Sequence, residues 1–225
     1  MLRDNLTQSI EDYLKAIFEL TRTQERASTN QISQRMGVTP ASVTGMLKRL
    51  AAYDPPLLEY HKHRGVALTA EGEQVALELI RHHRLLELYL HERLGYSWDE
   101  VHDEADRLEH VISENFEERI AQALGDPLLD PHGDPIPTRD LQVLPDDCVR
   151  LADLRSGQWA VVQRVEDEDS QLLRYLQTIG MVPQAHLQVV DYSGFDGNLS
   201  IDIEGEDSLI VLGPRVTRQI FVEVE

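Results

Sequence analysis

The chain has one cysteine, Cys148, in 225 residues. No internal disulfide can form, which fits a reducing compartment. A single thiol in a proline-rich stretch reads as a packed or linker residue rather than a nucleophile or ligand. No apolar run reaches the ~18 residues of a membrane helix. The opening residues Met1-Leu2-Arg3-Asp4-Asn5-Leu6 lack a leader-type apolar stretch. A cytoplasmic location with no membrane partner is expected. His-Glu-x-x-His, Gly-x-Ser-x-Gly and a phosphate-cradling glycine loop are also missing. The expectation is therefore no enzyme and no small organic substrate. A metallohydrolase, in which His, Asp and Glu activate water, is the one catalytic reading the composition leaves, and a DNA-reading pattern beside those residues argues against it. Positive charge is scarce too: 21 Lys and Arg face 40 Asp and Glu, a formal charge of −19.

The distribution of that charge is more telling than its sum. The first 75 residues carry nine residues of each sign, so the whole deficit lies downstream. Residues 28–69 hold five Lys and Arg against two Asp and Glu, with His61 and His63 in addition. Phosphate binding needs local positive charge on one face, not a basic whole. Residues 8–22 read as a helix, with Ile10, Tyr13, Leu14, Ile17 and Phe18 on one stripe and Asp12 off it. Asn30–Met36 forms a second helix ended by Gly37. Thr39 caps a third, with Pro40 at its first position and Val43, Leu47 and Leu50 as its buried face. Leu57–Tyr60 and Val66–Thr69 read as strands joined by the basic tip His61–Gly65. This is the order of a winged helix-turn-helix. In such a domain the second helix enters the major groove, led by its N-terminal residues. Here these are Thr39, Pro40, Ala41, Ser42, Thr44 and Gly45. Lys48 and Arg49 would meet phosphate, and Lys62 and Arg64 on the wing would reach the backbone or minor groove. Double-stranded operator DNA is the expected partner. So few bidentate base readers imply that DNA shape supplies part of the specificity.

Thr69 can cap a long helix over 70–93, broken by Gly95. Ser97 with Glu100 makes a capping box for a further helical stretch from about 98 to 124, with a break near Ser113. On the first of these helices His83 and Glu87 fall roughly 40° apart at about 100° per residue. On the second, His102, Asp106, Glu109 and His110 share roughly 100° of arc. Facing each other, the two faces would gather imidazole and carboxylate donors for a divalent metal. A lone His-x3-Glu pair is ordinarily a solvated contact, and the second cluster taken alone fits an exposed acidic stripe equally well.

Five prolines lie between 125 and 147, which reads as a linker. Beyond it, Trp159–Val162, Leu187–Val190, Leu199–Ile203 and Ile220–Val224 read as strands, with turns at Ser193-Gly194 and Asp196-Gly197-Asn198 and a short helix over Ser170–Thr178. The fold class expected is multi-domain α+β. A winged helix-turn-helix occupies 1–72, a helical domain carrying the candidate metal donors 73–140, a linker 141–149, and a small half-open β-barrel 150–225.

Three segments together resemble the diphtheria toxin repressor and manganese transport regulator family. They are Ser9-Ile10-Glu11-Asp12-Tyr13-Leu14-Lys15-Ala16, His83-Arg84-Leu85-x-Glu87, and Val101-His102-Asp103-Glu104-Ala105-x-x-x-Glu109-His110. The similarity extends through Pro131-His132-Gly133-Asp134-Pro135-Ile136-Pro137 to the SH3-like (FeoA-type) module of the longer members. The resemblance implies a homodimeric, metal-dependent transcriptional repressor with two metal sites per subunit. It implies one site of His83, Glu87 and His102, and another of Asp12, Asp106, Glu109 and His110. Iron-type members carry Met and Cys where this chain has Asp12 and Asp106, and manganese-type members carry carboxylates. Hard oxygen donors suit Mn²⁺, so Mn²⁺ control of metal-uptake genes is expected, with Fe²⁺ as the alternative effector. Lys15 stands where short manganese-type members have Glu, which argues against a metal pair bridged between positions 12 and 15. The C-terminal module of long members can lend a ligand to the first site. Alignment places Asp167 there, in a run with Glu166, Glu168 and Asp169, while Arg164 could not ligate.

Overall fold

The computed structural model describes residues 6–225 apart from 23, 146 and 207. Residues 1–5, most of the segment read for a leader, lie outside it. The chain divides into two compact units: Met1–His82 with Pro137–Gln142, and His83–Ile136 with Val143–Glu225. Among the described residues no helix is long and apolar enough to cross a membrane.

The first unit is a winged helix-turn-helix. Helix α1 (Gln8–Thr21) buries Ile10, Tyr13, Leu14 and Ile17 of the stripe its spacing predicts, with Phe18 half-buried against the same core. Helix α2 (Thr29–Met36) starts at a full capping box. Ser28 donates its backbone N–H to Gln31 Oε1 at 2.9 Å, and Gln31 N–H returns a bond to Ser28 Oγ at 3.2 Å. Gly37, left-handed at φ 63°, ends the helix and turns the chain into α3 (Pro40–Ala51). Thr39 caps α3 by accepting Ser42 N–H at 3.3 Å, with Pro40 in the first turn. Val43, Leu47 and Leu50 are fully buried, each worth about 1.5–3 kcal/mol of transfer free energy. Their burial leaves the opposite face of α3 exposed. Strands β1 (Leu58–His61) and β2 (Gly65–Leu68) pair antiparallel and form the wing. Gly65 sits at φ 90°, and a Cβ there would lie 2.5 Å from Ala27 O, the acceptor for Val66 N–H. Only glycine lets the wing close on the α1–α2 turn.

Helix α4 (Ala70–Leu94) supplies His83 and Glu87. In the second unit α5 (Val101–Leu108) and α6 (Glu114–Leu124) follow, the latter capped by Ser113. Leu85, Leu86, Leu88 and Leu90 of α4 share a core with Val101, Ala105, Ile120 and Ile136. The expected Ser97–Glu100 capping box does not form: the Glu100 carboxylate accepts the Ser97 N–H and hydroxyl, but Glu100 N–H bonds Ser97 O at 3.0 Å rather than the Ser97 hydroxyl, so the pair closes a turn and α5 begins only at Val101. Trp98, inside that turn, belongs to the core of the C-terminal module.

That module is a six-stranded antiparallel sheet in the order β3-β8-β4-β5-β6-β7. Its strands are β3 (Val149–Arg150), β4 (Trp159–Val165), β5 (His186–Tyr192), β6 (Leu199–Ile203), β7 (Ile210–Leu212) and β8 (Ile220–Val224). Helices α7 (Ser170–Thr178) and α8 (Pro214–Thr217) accompany it. Register shifts at Val162/Arg164 and Val189/Asp191 bend β4 and β5. Val162, Val165, Leu173, Leu176, Ile201 and Ile220 fill the interior. The proline-rich stretch is not a bare spacer. Residues 132–136 are buried as a strap, and Gly133, at φ 91°, lies so close to β4 that a Cβ would meet Gln163 O at 1.9 Å.

Candidate metal centre

Four side chains from three segments converge in the second unit. His83 and Glu87 come from one face of α4, His102 from the first turn of α5, and Asp167 from the loop between β4 and α7. His83 Nε2 lies 2.9 Å from Glu87 Oε1 and 3.2 Å from His102 Nδ1. His102 Nδ1 lies 3.1 Å from Glu87 Oε1 and 3.3 Å from Asp167 Oδ2. All four donor atoms fall within 4.8 Å of one another. Two imidazole nitrogens and two carboxylate oxygens so gathered are a donor set for a divalent cation.

Burial raises the stakes of this cluster. Glu87 is fully buried and His83 nearly so. Desolvation alone would push the Glu87 carboxyl up, but the imidazoles of His83, His102 and His132 hold it well below its usual range. Burial disfavours the His102 imidazolium, yet Asp167 and Glu87 raise its pKa to about 10. Asp167, also opposed by desolvation, is lowered chiefly by His102. Imidazole charge thus neutralises the carboxylates. A cation of higher charge would do the same, displacing the His102 proton. On this chemistry the residues fit a divalent metal.

The other ring edge of His83 faces a second group. His83 Nδ1 lies 2.5 Å from Glu109 Oε2 and 3.2 Å from Asp106 Oδ1. A carboxylate fixing the far nitrogen of a histidine holds its near nitrogen toward a metal. Glu109 Oε1 lies 3.5 Å from His110 Nε2. Glu109 is the C-cap of α5, and His110 lies in the turn beyond it, so the helix ends two residues before the predicted arc of donors does. Half-exposed Asp106 also faces His102 Nε2 at 3.7 Å. Asp12 lies half-buried on α1, in the other unit. Of the acidic run, Asp167 is the residue beside His102. Asp169 caps α7 instead, accepting Gln171 and Leu172 N–H at 3.0 and 3.2 Å.

Three residues absent from the sequence-based site turn out to wall it. Arg84, next to His83, donates to Pro135 O at 2.6 Å and Asp134 Oδ1 at 2.9 Å, pinning the strap to α4. Asp130 folds the strap by accepting His132 and Asp134 N–H at 2.8 and 2.9 Å. His132 is fully buried behind Glu87. The available signal was a charged Asp-Pro-His-Gly-Asp-Pro stretch among prolines.

In the first unit Thr39, Pro40, Ala41, Ser42, Gly45, Lys48 and Arg49 are exposed on α3, and Lys62 and Arg64 at the wing tip. Thr44 is half-buried and donates to Pro40 O at 2.9 Å. This face is polar and basic, as phosphate contact requires.

Known proteins carry the same architecture. Residues 5–66 match the iron dependent repressor N-terminal DNA binding domain, 69–138 the iron dependent repressor metal binding and dimerisation domain, and 149–224 the FeoA domain. The iron-dependent repressor IdeR of Mycobacterium tuberculosis is 33% identical over 218 residues, covering 92% of this chain and 93% of its own. A manganese-dependent transcriptional repressor solved in complex with manganese superposes with a TM-score of 0.88 at 39% identity, over 95% of this chain and 98% of its own. The manganese regulator SloR superposes at 0.79 with 34% identity, over 98% of this chain and all of its own. The chain therefore belongs to the family of metal-dependent transcriptional repressors that contains the diphtheria toxin repressor, IdeR and the manganese regulators, a family of DNA-binding proteins and not of enzymes.

Proposed function

We propose that this chain is a cytoplasmic, Mn²⁺-responsive repressor of metal-uptake genes that binds operator DNA as a homodimer. The observation that carries the reading is the convergence of His83 Nε2, Glu87 Oε1, His102 Nδ1 and Asp167 Oδ2. These four would hold one cation. Asp106, Glu109 and His110 would serve a second, with Asp12 as its fourth donor on the strength of the sequence resemblance. Every donor in both sets is oxygen or imidazole nitrogen, the combination that hard Mn²⁺ accepts.

A bound cation supplies positive charge that neutralises Glu87 and Asp167. The protein's own residues do the rest. Glu87 and His83 fix the α4 side of the site, His102 the α5 side, and Asp167 the C-terminal module. On α3 the N-terminal residues Thr39 to Gly45 read the major groove, while Lys48, Arg49, Lys62 and Arg64 meet phosphate. Metal promotes DNA binding only to the extent that it prefers the DNA-competent state, and by linkage DNA raises metal affinity equally. About 5.5 kcal/mol of differential binding moves a population from 1:99 to 99:1. Two sites, each joining separate segments, can share that requirement.

The test is a gel-shift titration of Mn²⁺ with DNA from upstream of the chain's own gene. Binding should rise with Mn²⁺ and vanish in chelator. Undiminished binding in excess chelator would overturn the reading. Fe²⁺ is the second reading, favoured by the 33% identity to IdeR and compatible with the same donors. The same titration under anaerobic conditions, with free metal buffered to cellular levels, separates the two.

A further inference from the structure

We propose that His132 is a positioning residue for the cation site: its imidazole holds the outer oxygen of Glu87, so that the inner oxygen stays aimed at His83 and His102. The inference rests on the metal-binding role given above to Glu87.

Glu87 uses its two oxygens differently. Oε1 meets His83 and His102 at 2.9 and 3.1 Å. Oε2 is buried, has no hydrogen-bond partner among the described residues, and faces His132 Nδ1 at 3.9 Å. A buried carboxylate oxygen without a donor is costly, and no ion pair other than that with His132 involves it among the described residues. The ring cannot turn away. Its Nε2–H donates to Trp98 O at 3.0 Å, its face stacks on the Trp98 indole at 5.4 Å and 28°, and its own backbone N–H bonds Asp130 Oδ1. An imidazole so anchored on one edge presents the other, Nδ1, to Glu87 Oε2. The His132 carbonyl accepts Val165 N–H at 3.0 Å, two residues before Asp167. One seam between strap and β4 therefore places His132 on Glu87 and Asp167 on His102. Outer partners of this kind tune affinity without ligating.

Two substitutions in the full-length chain separate the ring's edges. His132→Gln can reach the Trp98 carbonyl but leaves nothing at the Nδ1 position. His132→Asn keeps an amide donor at that position and gives up Trp98. With Mn²⁺ as titrant and Co²⁺ as optical probe, His132→Gln should weaken uptake by about 10–100-fold and change the Co²⁺ visible spectrum, with an unfolding midpoint no lower than that of His132→Asn. His132→Asn should stay within about fivefold of the parent, given an outer-shell effect of that size. Parental affinity and spectrum in His132→Gln overturn the proposal, and so do equal losses in both variants, which mean packing alone. In the unmodified chain the His132 Nδ1 resonance must shift when Zn²⁺ loads, and an unmoved resonance overturns it whatever the variants do. An unmodified chain that takes up no Mn²⁺ overturns the functional reading as well. One that takes it up while His132→Gln matches it overturns only this inference.

Discussion

The DNA-reading head and the metal centre use opposite designs. In the head the interior is conventional, with Val43, Leu47 and Leu50 fully buried, and the residues proposed to meet DNA, among them Thr39, Ser42, Lys48 and Arg49 of α3 and Lys62 and Arg64 at the wing tip, lie on the surface. In the candidate metal centre the proposed donors reach into the interior: Glu87 and His132 behind it are fully buried, His83 is almost so, and His102 and Asp167 are partly buried. Substitution of an exposed contact in the head costs that contact and little else. Substitution in the centre leaves a buried charge without its partner, the more expensive event. Affinity for DNA should therefore be graded residue by residue, and affinity for metal should fail as a block.

The largest effect expected follows from that contrast. Glu87→Gln removes the anion that three imidazoles surround. Metal affinity should fall by more than the 10–100-fold typical of an outer-sphere loss, and metal-dependent DNA binding should disappear with it. Chelator competition against Mn²⁺ measures this, and a tenfold loss or less would break the comparison. Next in size is Gly133→Ala. At φ 91°, with Gln163 O 1.9 Å from the added Cβ, the strap must leave β4. A loss of about 3 kcal/mol or more is expected, at the upper end for a single change. Thermal unfolding and protease sensitivity of the 143–225 region would report it. An unchanged midpoint would mean that the strap has room to spare.

Legibility in the sequence divides along the same line. Helices whose signals are local were readable: α1 over 8–22 against Gln8–Thr21, α4 over 70–93 against Ala70–Leu94, and α7 over Ser170–Thr178 as observed. Caps and amphipathic spacing carry these elements without help from distant residues. Strands β3 and β7, of two and three residues, have too little pattern to see. Of the centre, His83, Glu87 and His102 were visible as helix-spaced donors, and Asp167 only through resemblance. Arg84 and His132 were not visible as parts of it. Their partners Asp134, Pro135, Trp98 and Glu87 lie 34 to 51 residues away or face them only through tertiary packing. The same packing turned residues 132–136, within the presumed linker, into a buried strap, because Arg84 satisfies its carbonyl and carboxylate acceptors.

On the head, smaller and separable effects are expected. Lys62→Ala and Arg64→Ala at the exposed wing tip should each lower the salt dependence of DNA binding by about one unit of log–log slope, evenly across sequences. Metal affinity measured without DNA should not change. A metal-affinity change of tenfold in either variant would mean that the head and centre are not the separate designs drawn above.

Thr39 gives the finest test, because two roles compete at one hydroxyl. It stands among the residues proposed to enter the groove, yet its oxygen already accepts Ser42 N–H at 3.3 Å as the cap of α3. Loss of a threonine cap costs about 1 kcal/mol, a factor of about five in an equilibrium. If capping is its work, Thr39→Ala should destabilise the protein by that amount and weaken DNA binding by no more than about fivefold on the same scale. The loss should be equal at every operator variant, and Thr39→Ser should restore both. If the hydroxyl also donates to a base, the loss in Thr39→Ala will concentrate at one base pair and exceed the cap's share by the 1–3 kcal/mol of a good base contact. A uniform loss would leave sequence reading in the head to Ser42, Thr44 and the shape of the DNA. That result would set the head further from the centre, where loss of any one proposed donor is expected to cost the whole site.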